Sequence, residues 1–141
     1  MRGADVVVLA VPHGAVAGIV AELGETLSGV VVVDATNPLN DTYTDLVTVG
    51  TSAAENLQQQ LPGASVVKAF NTVLAGRLAN PTEGETPLDG FLAGDDDGAK
   101  ATVGRLLDSL GFRPIDAGAL RMARSLEQLA FLGLDPRSWT R

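Results

Sequence analysis

Val6-Val7-Val8-Leu9-Ala10-Val11-Pro12 is the first apolar run of the chain, and Val30-Val31-Val32-Val33-Asp34 is the second. Between them Val16, Ile19, Val20 and Leu23 stand at i, i+3, i+4 and i+7, with Gly24 behind them as a stop. Continuous rather than alternating apolarity marks a strand covered on both faces, as in a parallel sheet. The intervening spacing is that of an amphipathic helix. The reading is strand, helix, strand.

Outward from this unit the same alternation continues. Residues 39–50 are polar and rich in Thr and Asp, an exposed loop. Ser52-Ala53-Ala54-Glu55 is a capping box opening a helix that ends before Pro62-Gly63. Residues 65–70 form a third strand, followed by Asn71-Thr72 and a short helix to about residue 80. Two prolines and Gly84 make residues 80–88 a loop, and Phe91-Leu92-Ala93-Gly94 is a fourth strand. Asp95-Asp96-Asp97 fits a helix N-terminus better than a metal site, because Val103, Leu106, Leu107 and Leu110 follow at helical spacing. Gly111 stops that helix, residues 112–116 give a fifth strand, and Ala119, Met122, Leu126 and Leu129 give a last helical stripe. The pattern is an α/β parallel sheet, in which ligands bind beyond the carboxyl ends of the strands.

Composition bounds the function. The 141 residues carry 17 acidic and 10 basic groups, a net charge of -7, with no basic cluster, so nucleic-acid binding is not expected. At 45% hydrophobic and 19% charged the chain is not disordered, and its length suits one domain over residues 1–141. The absence of cysteine excludes thiol chemistry, and the single histidine excludes any site needing two imidazoles. The start imitates a secretory signal, but Asp5, Pro12 and His13 interrupt it and a second apolar run follows at once. No uninterrupted apolar run of about 18 residues exists, so no membrane span and a cytoplasmic location are expected.

The sequence holds no Gly-x-Gly-x-x-Gly, no P-loop and no Gly-x-Ser-x-Gly elbow. The residues that matter are then the strand ends: Val11-Pro12-His13, Thr36-Asn37-Pro38 and Phe70-Asn71-Thr72. Asn37 taken alone is a turn residue bonding its own backbone. Asn71 stands in the same relation to the next strand, and two asparagines at successive strand ends can converge on one ligand. His13 taken alone is a surface imidazole, and Lys68 an edge or end residue of its strand.

Residues 4–12 (Ala-Asp-Val-Val-Val-Leu-Ala-Val-Pro), 34–39 (Asp-Ala-Thr-Asn-Pro-Leu) and 67–72 (Val-Lys-Ala-Phe-Asn-Thr) stand in a distinctive order. They are followed by Ala93-Gly94-Asp95-Asp96, then Asp116-Ala117-Gly118-Ala119-Leu120 with Ala123-Arg124 and Glu127. Together they resemble the NADP oxidoreductase, coenzyme F420-dependent family, over about residues 3–132. The resemblance implies a Rossmann-type fold in which hydride passes directly between nicotinamide C4 and the C5 of a deazaflavin, with the protein supplying position and electrostatics. NADP(H) would be the cofactor, coenzyme F420 the small-molecule redox partner, and no side chain would be obligatory as acid or base. Val11 and Pro12 match the strand end beside the nicotinamide ribose, and His13 a place that tolerates a ring. Asn37 and Pro38 match the Thr-Asn-Pro turn. Asn71 and Ala75 match positions beside the carboxamide and the joint of the two cofactors, although some members carry His where Asn71 stands.

Members of that family begin with a strand, Gly-rich turn and helix that hold pyrophosphate. The expectation is therefore the C-terminal part of such a domain, with roughly 50–60 residues absent before Met1 and a shortened tail after Leu132. Two alternatives follow: a catalytically silent Rossmann fragment acting only through association, or an NAD(P)-dependent reductase of another substrate. With its neighbouring strand absent, the run Val6 to Val11 would present an unprotected edge, and a homo-oligomer through that edge is expected.

Overall fold

The computed structural model describes residues 3–134. The tail 135–141, including Trp139 and most of the shortened end noted above, lies outside the described residues, as does Arg2. Strands β1 (Val6–Leu9), β2 (Val31–Asp34) and β3 (Ser65–Ala69) alternate with helices α1 (Val16–Leu23) and α2 (Ala53–Gln60). After β3 come the one-turn helix α3 (Ala75–Leu78) and the two-residue strands β4 (Thr82–Glu83) and β5 (Thr86–Pro87). Then follow β6 (Asp89–Gly94), α4 (Asp97–Ser109), β7 (Arg113–Asp116) and α5 (Ala123–Leu134). One five-stranded sheet runs in the order β1-β2-β3-β6-β7.

The sheet is covered on both faces, which is why its strands read as continuous apolar runs. Leu9, Val32 and Val66 pack with Val16, Ala54, Leu57, Leu120 and Ala123, so α1, α2 and the start of α5 cover one face. Val33, Val67, Ala69 and Leu92 pack with Ala99, Val103, Leu107 and Phe112, so α4 covers the other. The helix termini follow their sequence signals. Ser52 Oγ accepts the Glu55 N–H at 3.0 Å and donates to Glu55 Oε2 at 2.7 Å. Asp96 Oδ1 accepts the Ala99 N–H at 2.7 Å and caps α4, while Asp95 Oδ1 accepts the Leu120 N–H. At the far end of α4, Gly111 (φ +95°) and Phe112 donate to the carbonyls of Asp108 and Leu107, a Schellman stop that only a left-handed residue closes easily.

Two expectations need correction. The sheet is mostly but not wholly parallel: β1-β2, β2-β3 and β6-β7 are parallel, whereas β3 and β6 are antiparallel. A parallel crossover normally carries a helix long enough to span the sheet. The segment between β3 and β6 holds only the four-residue α3 and a hairpin, so the chain returns beside β3 in the opposite sense. That hairpin is the second correction, since β4 and β5 pair across Gly84 where a plain loop was expected. Among the described residues no helix is long and apolar enough to cross a membrane.

Candidate functional site

The C-terminal ends of β2 and β3 lie side by side, because the two strands are paired in register from Val31↔Ser65 to Asp34↔Lys68. Asn37 and Asn71 therefore leave the sheet as neighbours. Phe70 makes this possible by taking φ +66°, a left-handed backbone that costs a non-glycine residue on the order of 1–3 kcal/mol. Its ring is held edge-on against Phe112, centroids 6.4 Å apart. Strain is thus kept at the turn that carries Asn71.

The two asparagines bond each other rather than their own turns. Asn37 Nδ2 donates to the Asn71 carbonyl at 3.0 Å, and Asn71 Nδ2 donates to Asn37 Oδ1 at 3.1 Å. Asn71 Nδ2 also donates to the Leu126 carbonyl of α5 at 3.0 Å. Asn71 is 5% exposed, and its Oδ1 is buried with no hydrogen-bond partner. Beside the pair lies a cleft of about 190 Å³ walled by Asn37, Asn71, Thr72, Val73, Leu74, Ala75, Leu129 and Ala130. The structure therefore brings Asn37, Asn71 and Ala75 together. Pro38 is buried next to Asn37. Val11, Pro12 and His13 sit at the neighbouring strand end, after β1 and into the turn before α1, and are not among the residues walling this cleft. His13 is half-buried with its Nδ1 enclosed and unpartnered. Burial lowers its pKa, with Asp34 opposing that shift and Lys68 adding to it.

Lys68 was expected at an edge or strand end and is instead fully buried in a central strand. Its Nζ donates to Asp34 Oδ2 and to Glu127 Oε1, both at 3.0 Å, and to the Thr36 carbonyl. Asp34 Oδ1 in turn accepts the Thr36 N–H and hydroxyl at 2.9 and 2.7 Å. Glu127 also accepts the Ala53 N–H at the start of α2. Burial raises the Glu127 pKa above its ordinary value, and Lys68 and the Ala53 N–H offset part of that. This ion cluster joins β2, β3, α2 and α5 directly beneath the asparagine pair. A signal for it existed in the sequence: a lysine inside an apolar strand, in step with an aspartate closing the strand before.

A cleft of about 190 Å³ suits one ring rather than a whole dinucleotide, since sites for larger ligands run to about 300–1,000 Å³. Its walls offer apolar faces from Leu74 and Leu129, which are 45% and 44% exposed, beside Asn71, whose Oδ1 is enclosed. These features suit a small, partly apolar ring. They do not extend to a pyrophosphate cradle, because no Gly-rich turn occurs in the sequence.

No protein-family model matches the sequence. The chain is 36% identical over 108 residues to Metalloreductase STEAP3 of Rattus norvegicus, covering 76% of this chain and 21% of that protein. It is 32% identical over 136 residues to the F420-dependent NADP reductase of Methanothermobacter marburgensis, covering 89% of this chain and 59% of the reductase. A crystal structure of a candidate F420-dependent NADP reductase from Arthrobacter sp. FB24 superposes with a TM-score of 0.82 at 36% identity, over 90% of this chain and 60% of that one. The chain thus spans between a fifth and three fifths of the length of these relatives. Aligned over most of its own residues and sharing their mostly parallel α/β architecture, it is a partial-length homologue of the F420-dependent NADP reductases.

Proposed function

We propose that residues 1–141 form one partial NAD(P)-binding domain contributing the nicotinamide half-site of an NADP(H)-dependent reductase, with a deazaflavin of the F420 type as hydride partner. The observation that supports it best is the cleft at the ends of β2 and β3, where Asn37, Asn71 and Ala75 converge on a homologous framework. When bound, the nicotinamide supplies or accepts a hydride at C4. The side chains hold and orient: Asn37 fixes Asn71, Leu74 and Leu129 flank the ring, and Val11, Pro12 and His13 extend the surface toward the ribose. Hydride transfer between two bound rings asks the protein for alignment, which alone can supply several kcal/mol of the barrier.

Because the sequence lacks the Gly-rich turn that seats pyrophosphate, NADPH should bind the 141-residue chain only weakly. The test is a chimera placing a βαβ unit with that turn ahead of Met1. It should bind NADPH at least tenfold tighter in calorimetry and reduce F420. A chimera that binds NADPH without reducing F420 would move the assignment to another acceptor, a reading to which the similarity to a metalloreductase lends support. Micromolar NADPH binding by the chain alone would overturn the half-site assignment. We further place self-association at the β1 edge.

A further inference from the structure

Three segments that wall the cleft are tied to one buried nitrogen. Asn37 follows β2, Asn71 follows β3, and Leu129 and Ala130 belong to α5. Lys68 is part of β3, and its Nζ donates to Asp34 and the Thr36 carbonyl on the β2 side and to Glu127 on α5. An ammonium has three hydrogens, and each here has an acceptor. Thr36 immediately precedes Asn37, and Glu127 immediately follows Leu126. Asn37 and Leu126 supply the two acceptors of the Asn71 amide, so displacing either segment displaces a partner of Asn71. Packing alone fixes this arrangement poorly. Among the described residues the buried positions of α5 are Ala123, Leu126, Glu127 and Ala130, of which only Leu126 is a large apolar side chain. Apolar contact is non-directional, and a buried ion group is weak ground for stability, since apolar replacements of its volume often serve as well. What the ammonium adds is direction.

We propose that Lys68 is a positioning residue for the cleft, holding the end of β2 and helix α5 in register with β3 so that Asn37, Asn71 and Leu129 form one fixed wall. Lys68 is fully buried and acts only through the Thr36 carbonyl and the Glu127 carboxylate. The hold on Asn71 is a property of the free chain. Its consequence for a bound ring rests on the nicotinamide reading above.

The experiment follows the Asn71 side-chain amide by NMR in the isotope-labelled full chain, first alone and then titrated with nicotinamide mononucleotide. Wild type is compared with Lys68→Met, with Lys68→Met/Glu127→Gln and with Glu127→Gln. The double variant leaves Asp34 as the lone charge, so the trio keeps the wild type's single formal negative charge. Leu27→Ala is the control, a core truncation ahead of the start of β2 and so at the other end of the sheet. In both Lys68 variants the Asn71 amide should shift toward a free carboxamide and exchange with solvent at least about tenfold faster. Nicotinamide mononucleotide should bind them at least about fivefold more weakly, the scale of one misplaced polar contact. Glu127→Gln keeps an acceptor for Lys68 and should show the same changes to a smaller degree, which decides the matter if the Lys68 variants do not fold. Leu27→Ala should lower the melting temperature and leave both readouts alone. An unmoved Asn71 amide in the folded variants, or an equal response in Leu27→Ala, would overturn the proposal. So would a released Asn71 with unchanged affinity, because the cleft would then not depend on the hold. If wild type itself fails to bind the mononucleotide, the nicotinamide reading falls, and the ligand-free spectra still decide whether Lys68 holds the wall.

Discussion

Lys68 shows how much a single residue can organise in this molecule. Its ammonium is shielded from water and balanced by Asp34, Glu127 and the Thr36 carbonyl. Removing one partner of a buried ion cluster leaves charge without compensation, so Lys68→Met should cost about 3–5 kcal/mol in denaturant unfolding. A loss under 1 kcal/mol would mean that the cluster contributes little beyond its volume. The carboxylates divide by environment. Glu55 lies against the Arg124 guanidinium, which lowers its pKa, whereas burial raises that of Glu127. Their contributions to stability therefore have opposite signs. The Glu55 contribution is present above the ordinary carboxylate value and is lost as pH falls through its depressed one. That of Glu127 is complete below the ordinary value and is lost as pH rises through its raised one. A carboxyl-carbon NMR titration should place the Glu55 midpoint below the ordinary glutamate value and the Glu127 midpoint above it. The reverse order would contradict both assignments.

At the level of elements, capping decides where helices begin. Ser52 is fully buried at the N-cap of α2 and exchanges two hydrogen bonds with Glu55. Ser52→Ala should cost about 1–2 kcal/mol, the upper part of the range for such caps, because Glu55 loses a donor as α2 loses an acceptor. Asp96→Ala at the exposed start of α4 removes only the acceptor for the Ala99 N–H and should cost less, about 0.5–1 kcal/mol. Equal losses in thermal unfolding would show that the reciprocal bond at α2 adds nothing. Both caps were legible in the sequence, since each satisfies a main-chain group within three residues of itself. The β4–β5 hairpin was not legible, because a two-residue ladder containing Pro87 carries no alternation to read.

Across the whole molecule the two sheet edges differ. Among the described residues β1 pairs on one side only, and its free edge is Val-Val-Val-Leu with Val8 43% exposed. The opposite edge, β7, carries Arg113, Pro114 and Asp116, residues that discourage pairing with another chain. Since the carbonyls of Asp5 and Leu9 point toward β2, the alternation of a strand turns the main-chain groups of Val6 and Val8 outward. The chain should therefore associate at tens of micromolar in light scattering. Val8→Lys should raise the monomer fraction with little change in melting temperature, because Val8 already meets solvent. A monodisperse wild-type monomer would remove the edge as an association surface.

Sequence alone determined what depends on neighbours along the chain. The continuous valine runs required strands covered twice, the 3.6-residue stripes required helices on those faces, and Asn37 and Asn71 were placed at strand ends by their position after those runs. The tertiary structure decided what depends on register and on the path of a connection. Pairing Asp34 with Lys68 turned an apparent edge lysine into the centre of a buried cluster. The shortness of α3 reversed β6 against β3. The approach of α5 offered the Leu126 carbonyl that, with Asn37, fixes the Asn71 amide. Spacing within one segment carries no record of such contacts, because each joins different segments, the side-chain bonds over more than thirty residues, and exists only once the sheet has aligned them.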